Sequence, residues 1–408
     1  MTSGHAQMGI DDGLSKRLGF KKGPNVIRAA VVKSGGGTDP VHEFWTRTIN
    51  RSRVLWRFIR MRKAKPTMQK NHKLSVLPTI LALAPFAIAQ SADTGTAHKA
   101  AATALLNSNN TGAAHLACPA TIGPVSTANS PTGPGRAGGP PAGRGGRGGG
   151  RGRGAVPPKE DWFAEGGQVF DNLYMLTTKM NSAWAVTTSE GIILLDTLFG
   201  YAAQDAIVDG LRKVGLNPAD IKYIVVSHAH GDHDGSVKFL QDTYKAHVIM
   251  GPKDWELSGR EADPPRHDIE ATDGQKLTLG DTTITIYITP GHTGGTLSFL
   301  VPVKDHGQAH LAMEWGGTAL SAATSKEMLE SYISNAKRLK DISEGQGADV
   351  IIGNHTEYND ALNRLERTKA RKEDESNPWI VGKREVETYL TVVEECAKSW
   401  LAIGEGRP

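Results

Sequence analysis

An α/β fold is predicted for residues 159–408, and three observations predict it. Short β-rich runs alternate with helix-like segments along this stretch. One of those runs, "KYIVVS", is apolar enough to be a strand buried on both faces. The residues with the most chemistry, led by "VVSHAHGDHDG", stand where such runs end, which is where α/β sheets bind ligands.

The elements follow in order. From Asp161, "QVFDNLYML", "SAWAVTT" and "GIILLDT" read as strands separated by polar turns. The segment "AAQDAIVDGLRKVG" places Ala206, Ile207, Leu211 and Val214 at mostly helical spacing. After the strand that leads into the histidines, the second half repeats the style with "QKLTLG", "TTITIYITP", "GTLSFLVP" and "HLAMEW". A helix around Lys326–Leu339, the strand "ADVIIG" and two closing helices complete the core.

The chain before residue 159 reads differently. Residues 1–67 show no sustained period and end in a basic run, which suits a disordered or non-native N-terminal extension. Residues 68–89 read as a signal peptide: Lys70 and Lys73 form a basic lead, Leu74 to Ala89 an apolar stretch, and Ala87-Ile88-Ala89 a small-x-small cleavage site. That stretch is short and holds Pro78 and Pro85, which argues against stable membrane insertion. The expected location is therefore periplasmic or secreted. Residues 90–129 permit a short helix, and residues 130–158 form a linker rich in Gly, Arg and Pro. Arg-Gly repeats also bind polyanions, but no aromatic residue interleaves these, and an export signal precedes them, so no nucleic-acid partner is expected.

Composition adds bounds. With 38% apolar and 22% charged residues, the 408-residue chain can bury a sizeable core, and a net charge of +4 implies no acidic partner. The cysteines, Cys118 and Cys396, are too few for a thiolate zinc site; one disulfide or two inert thiols both fit.

The histidine cluster carries the chemistry. His228 and His230, two apart on an extended segment, can point the same way and grip one ion, while Asp232 and His233 turn toward a second. Imidazole with carboxylate and no thiolate suits zinc, and also iron or manganese. A surface histidine patch is the alternative, and a window of four ligand-type residues after a buried strand disfavours it. His292 in "TPGHTGGTLSF" and His355 in "IIGNHTEYND" also follow strands and can reach the same pocket.

On these residues the chain resembles the metallo-β-lactamase superfamily: HxHxDH at His228 to His233, TxGHTxG at Thr289 to Gly295, and a final His355. The resemblance covers about Asp161 to the C-terminus. It implies a four-layered αβ/βα sandwich with a dinuclear metal site at one edge. Most hydrolases of the superfamily, the acyl-homoserine lactonases among them, carry a bridging aspartate in a Gly-Asp pair; here Gly316-Gly317 stand in its place. The implied set is therefore His228, His230 and His292 on one zinc, with Asp232, His233 and His355 on the other. That set resembles the third subclass of class B metallo-β-lactamases. It implies two Zn2+ per chain and a small-molecule substrate.

The implied reaction is hydrolysis of a cyclic amide or ester, of β-lactam type, by water activated between the zinc ions. Asp232 has a catalytic role in orienting that water, and Asp196 at the end of "IILLD" supports a ligand rather than binding metal. Trp184, Thr318, Ser321 and Tyr358 are candidate substrate contacts, although residues of these types more often serve the core or a turn. A lactonase or esterase with the same ligands is the alternative; a polyanion-binding protein using the Arg-Gly tract is the non-enzymatic one.

Overall fold

The computed structural model describes residues 28–34, 42–50, 53–60, 95–107, 109–119 and 156–405. Residues 68–89, read above as a signal peptide, lie outside these residues, as does all of the Arg-Gly tract before residue 156. Arg28–Ser34 (β1), His42–Asn50 (β2) and Arg53–Arg60 (β3) form an antiparallel three-stranded sheet of their own. The absence of a sustained period in residues 1–67 did not lead us to expect these strands.

The remaining strands build two sheets. Gly167–Phe170 (β4), Leu173–Thr177 (β5), Ser182–Thr188 (β6), Gly191–Leu195 (β7), Ile221–Val225 (β8), His247–Met250 (β9) and Ile269–Glu270 (β10) form a seven-stranded sheet in the order β10-β9-β8-β7-β6-β5-β4. Gln275–Leu279 (β11), Thr282–Ile288 (β12), Leu297–Asp305 (β13), Gln308–Glu314 (β14) and Val350–Ile352 (β15) form a five-stranded sheet in chain order. Pairs β7–β8, β8–β9, β9–β10 and β14–β15 are parallel.

Strand alternation assigns the layers. In β6, Trp184 and Val186 face the core between the sheets, whereas Ala183 and Ala185 face outward. In β7 the same division separates Ile193 and Leu195 from Ile192 and Leu194. The second sheet meets the same core with Ile284, Ile286, Leu297 and Phe299. Its outer face presents Tyr287, Leu300 and Met313 to Lys326–Gln346 (labelled α7) and Lys383–Glu405 (labelled α9). The first sheet's outer face is covered by Asp209–Lys213 (α4), entered through a π-helical turn at Ala203–Val208, and by Val237–Tyr244 (α5). Helix, sheet, sheet, helix is the four-layered sandwich. Strands buried on both faces explain why "KYIVVS" and "GIILLDT" read as continuous apolar runs.

Two further segments pack on this body. Helical residues 95–104 (α1) and Thr111–Ala117 (α2) lie in the same apolar cluster as α9, through Ala102, Ala113 and Ala117. Cys118 and Cys396 form a disulfide that ties α2 to α9, so the pairing left open by sequence is resolved. Trp400 Nε1 donates to Ala117 O at 2.9 Å, and Ser399 Oγ to Gly95 O at 2.8 Å. The helices Lys159–Trp162 (α3), Pro252–Ser258 (α6) and Ala361–Ala370 (α8) complete the description.

Candidate metal centre

Asp196 and the six candidate ligands all follow strand ends at one edge of the sandwich. Asp196 follows β7, His228 to His233 follow β8, His292 follows β12 and His355 follows β15. The loop after β8 closes as a single tight turn, with His233 N donating to His230 O at 2.7 Å. Leu297 N donates to Ser227 O and Ser182 N to Asn354 O, so the loops of the two sheets are pinned to one another.

The structure brings the six residues together as two groups that could each hold a metal ion. Atoms of His228, His230 and His292 lie within 4.8 Å of one another, as do atoms of Asp232, His233 and His355. The groups adjoin, with the His228 and His233 rings 4.1 Å apart. In the first, His292 Nε2 is 3.1 Å from His230 Nδ1. In the second, His233 Nε2 is 3.2 Å from His355 Nε2, and Asp232 Oδ2 is 3.3 Å and 3.4 Å from the two imidazoles. Lone pairs facing each other at such distances repel unless a proton or cation lies between them.

The far nitrogens are anchored, as a metal-binding imidazole requires. His228 Nδ1 is 2.9 Å from Gly316 O, His292 Nδ1 is 2.6 Å from Ala319 O, and His233 Nδ1 is 2.9 Å from Asp196 Oδ2. Asp196 also accepts from Ser227 N at 2.6 Å and Ser227 Oγ at 2.7 Å. It adopts a left-handed backbone, φ 58°, which an aspartate tolerates when its side chain is held.

The local field is uneven. Burial holds His228 well below its usual range, and burial with His230 nearby lowers His292 to about 3. Burial opposes protonation of His233 as well, but the carboxylates of Asp196 and Asp232 overcome it and raise His233 to about 10. Burial would raise Asp232, yet hydrogen bonds from His233 and His355 leave it far below the carboxylate range. Positive charge is therefore favoured at His233, while His228 and His292 stay neutral.

No side chain fits where a bridging carboxylate would stand. A Cβ on Gly316 would lie 1.7 Å from Leu297 O, and one on Gly317 would lie 2.5 Å from the His292 Cβ. Neither acid at the ends of the adjoining strands supplies one: Asp305, at the far end of β13, pairs with Arg371 at 2.8 Å, and Glu314 is fully buried and belongs to neither group.

The candidate substrate contacts fare differently. Trp184 is fully buried, donates from Nε1 to Gly353 O and meets Trp379 edge-on, so it belongs to the core. Thr318 is buried against Tyr389, with its hydroxyl 3.2 Å from the tyrosine oxygen. Tyr358 is 2% exposed and stacks under His355, which it supports from behind. Ser321 is exposed, but it lines a groove with Thr324, Leu329 and Trp400 that contains none of the six residues. Thr318, Ser321 and Tyr358 were expected from closeness in sequence to site loops and Trp184 as an aromatic lining, and burial removes three of the four from a substrate's reach.

Asn181 went unnoticed in the sequence. It is fully buried in the turn before β6, and its Nδ2 donates to Asp232 Oδ2 at 3.0 Å and lies 3.3 Å from His355 Nε2. Asparagine is among the commonest turn residues, so nothing in the sequence distinguished this one.

Relatives of known type fit this geometry. A family model described as the metallo-beta-lactamase superfamily matches residues 176–306. Metallo-beta-lactamase domain-containing protein 1 of Xenopus laevis is 30% identical over 175 residues, covering 42% of this chain and 70% of that protein. The chain belongs to the metallo-beta-lactamase superfamily. The N-acyl homoserine lactonase AttM of Azorhizobium caulinodans is 27% identical over 171 residues, 37% of this chain. The chain spans 64% of that lactonase's length and 62% of its Agrobacterium fabrum counterpart's. Among solved structures, a Cronobacter sakazakii metallo-beta-lactamase with a mutated HARLDQ motif superposes with a TM-score of 0.53 at 25% identity. The match covers 61% of this chain and 100% of that one. The FEZ-1 metallo-beta-lactamase of Legionella gormanii, at 21% identity and a TM-score of 0.50, shares the fold over 56% of this chain and 91% of its own.

Proposed function

We propose that the protein is an exported dinuclear zinc hydrolase that opens a cyclic amide of β-lactam type. One observation carries this reading: two three-residue groups adjoin, and the Gly316-Gly317 turn between their loops excludes a carboxylate bridge. Five imidazoles and one carboxylate, with three imidazoles anchored at the far nitrogen, fit zinc. His228, His230 and His292 would hold one ion, and Asp232, His233 and His355 the other. When bound, the metal supplies Lewis-acid polarisation of a carbonyl and lowers the pKa of water toward neutrality.

The chain's own groups supply the remainder. Asp232, which keeps 24% of its side chain exposed, offers the only carboxylate of the two groups toward the cleft and orients an attacking water. Asn181 Nδ2 holds that carboxylate in place. Asp196 fixes the ring of His233 and the backbone at Ser227 together. The lactonase reading keeps one observation in its favour, the similarity to AttM proteins. The missing bridging aspartate, a feature expected of lactonases in this superfamily, weighs against it.

Export is supported by the buried Cys118–Cys396 disulfide, since such bonds persist in oxidising compartments. Among the described residues no helix is long and apolar enough to cross a membrane. The test is a panel of a β-lactam, an N-acyl homoserine lactone and a phosphodiester at equal zinc. Preference for the β-lactam supports the proposal, and preference for the lactone replaces it with the alternative. Amino-terminal sequencing of protein from the periplasm or medium is expected to begin near Gln90; an intact chain from Met1 in the cytoplasm would contradict export.

A further inference from the structure

Asp196 is joined by another buried carboxylate beside the metal groups. Asp254, in the first turn of α6, is 1% exposed and is held by backbone and hydroxyl donors around the ligands. Its Oδ2 accepts from Ala229 N, the backbone between His228 and His230, at 2.8 Å. The same oxygen accepts from Thr293 Oγ1, next to His292, at 2.8 Å. Its Oδ1 accepts from Gly295 N at 2.8 Å.

The junction is close-packed on every side. A Cβ on Gly295 would lie 2.5 Å from Asp254 N, and one on Gly251 would lie 2.0 Å from Gly295 O. The start of α6 is thereby pressed against the turn that carries His292. Thr293 Oγ1 is also 2.7 Å from Thr296 Oγ1, so the threonine rotamer that meets Asp254 is itself held.

We propose that Asp254 is the positioning residue of the three-histidine group, its carboxylate tying the loop of His228 and His230 to the loop of His292. The inference rests on the reading that these histidines hold metal. A carboxylate is needed because both oxygens must accept. In an asparagine the amide nitrogen cannot accept, so either Gly295 N or the Ala229–Thr293 pair loses its partner in a dry site. One of the two loops is then released, and three imidazoles that must converge on one point lose their mutual placement. The second group shares the turn after β8 but is reached less, because Asp196 holds His233 as well.

The experiment is zinc competition against a chromophoric chelator, using the full chain. His355→Ala leaves only the three-histidine group whole, and His292→Ala leaves only the other. Asp254→Asn is expected to weaken zinc binding about 10- to 100-fold in the His355→Ala background and to change it little in the His292→Ala background. Circular dichroism checks that each variant is folded. Should Asp254→Asn not fold, Thr293→Val removes one donor and is expected to show the same selectivity with a smaller loss. Equal losses in both backgrounds would reduce Asp254 to a general packing residue, and unchanged affinity in the first would remove its role; either overturns the proposal. If His355→Ala alone bound no zinc, the metal reading would fail, and this inference with it.

Discussion

Removing the disulfide is the perturbation whose size the structure sets most directly. Cys118 and Cys396 are 278 residues apart in sequence, so their bond closes most of the described chain into one loop. The chain-entropy relation for a loop of that length gives about 5–6 kcal/mol of stabilisation through restriction of the unfolded state. Measured effects run lower, at about 2–5 kcal/mol, and the lower figure suits this case. Without the bond α2 keeps other holds on α9: the Trp400–Ala117 and Ser399–Gly95 hydrogen bonds and the buried alanines. We therefore expect Cys118→Ser/Cys396→Ser to lower the thermal midpoint by roughly 5–15 °C. Replacing both residues avoids leaving an unpaired thiol. The assay is thermal unfolding of parent and variant side by side, with the parent also measured under reductant. Alkylation of the denatured parent without reductant should label no thiol. An unchanged midpoint would mean that residues 95–119 lie outside the cooperative unit, and labelling of two thiols would mean that the bond does not form; either refutes the reasoning.

Other expectations follow from the same geometry. Asp232→Asn should weaken zinc at the second group by at least about 10-fold while sparing the first, and His228→Ala should do the reverse, as zinc titration can read. Glu314 is fully buried with neither oxygen hydrogen-bonded, and burial together with the Asp196 carboxylate raises its pKa well above the usual value, with His233 opposing. The folded protein thus keeps a proton that the unfolded chain sheds, and stability is lost as pH rises from the ordinary carboxylate range toward the raised value, by about 1.4 kcal/mol per pH unit. Glu314→Gln should match the parent at low pH and gain on it as pH rises in urea unfolding; parallel curves would contradict this. A variant lacking residues 132–154 should keep its hydrolysis rate, because the six residues and the 95–119 segment remain; lost hydrolysis would give the tract a part in the reaction.

The sequence made the frame legible because it is written in local signals. The continuous burial of β6 and β7 on both faces and the apolar end of β8 produce runs that a strand between two packed layers must show. The six residues were legible for a related reason: ligand-type side chains crowded at strand ends seldom serve packing alone. What supports them was not. Asp254 reads as an ordinary acidic residue after a helix-opening Pro252, and its partners lie 25, 39 and 41 residues away. Asn181 meets Asp232 across 51 residues. Trp184 misled in the opposite sense, since an aromatic beside a site and one packed behind it look alike until the strand register places the ring between the sheets. The helices α5 and α6 went unassigned between stronger signals. The disulfide could not be decided either, because two cysteines fit pairing and isolation equally well.

The most direct test of the account is a zinc titration of the metal-free full chain in which bound metal and β-lactam hydrolysis are followed together. The account predicts saturation at two zinc ions per chain, one for each three-residue group, with hydrolysis appearing as they bind and disappearing on chelation. Hydrolysis that persists undiminished after the metal has been stripped would contradict it.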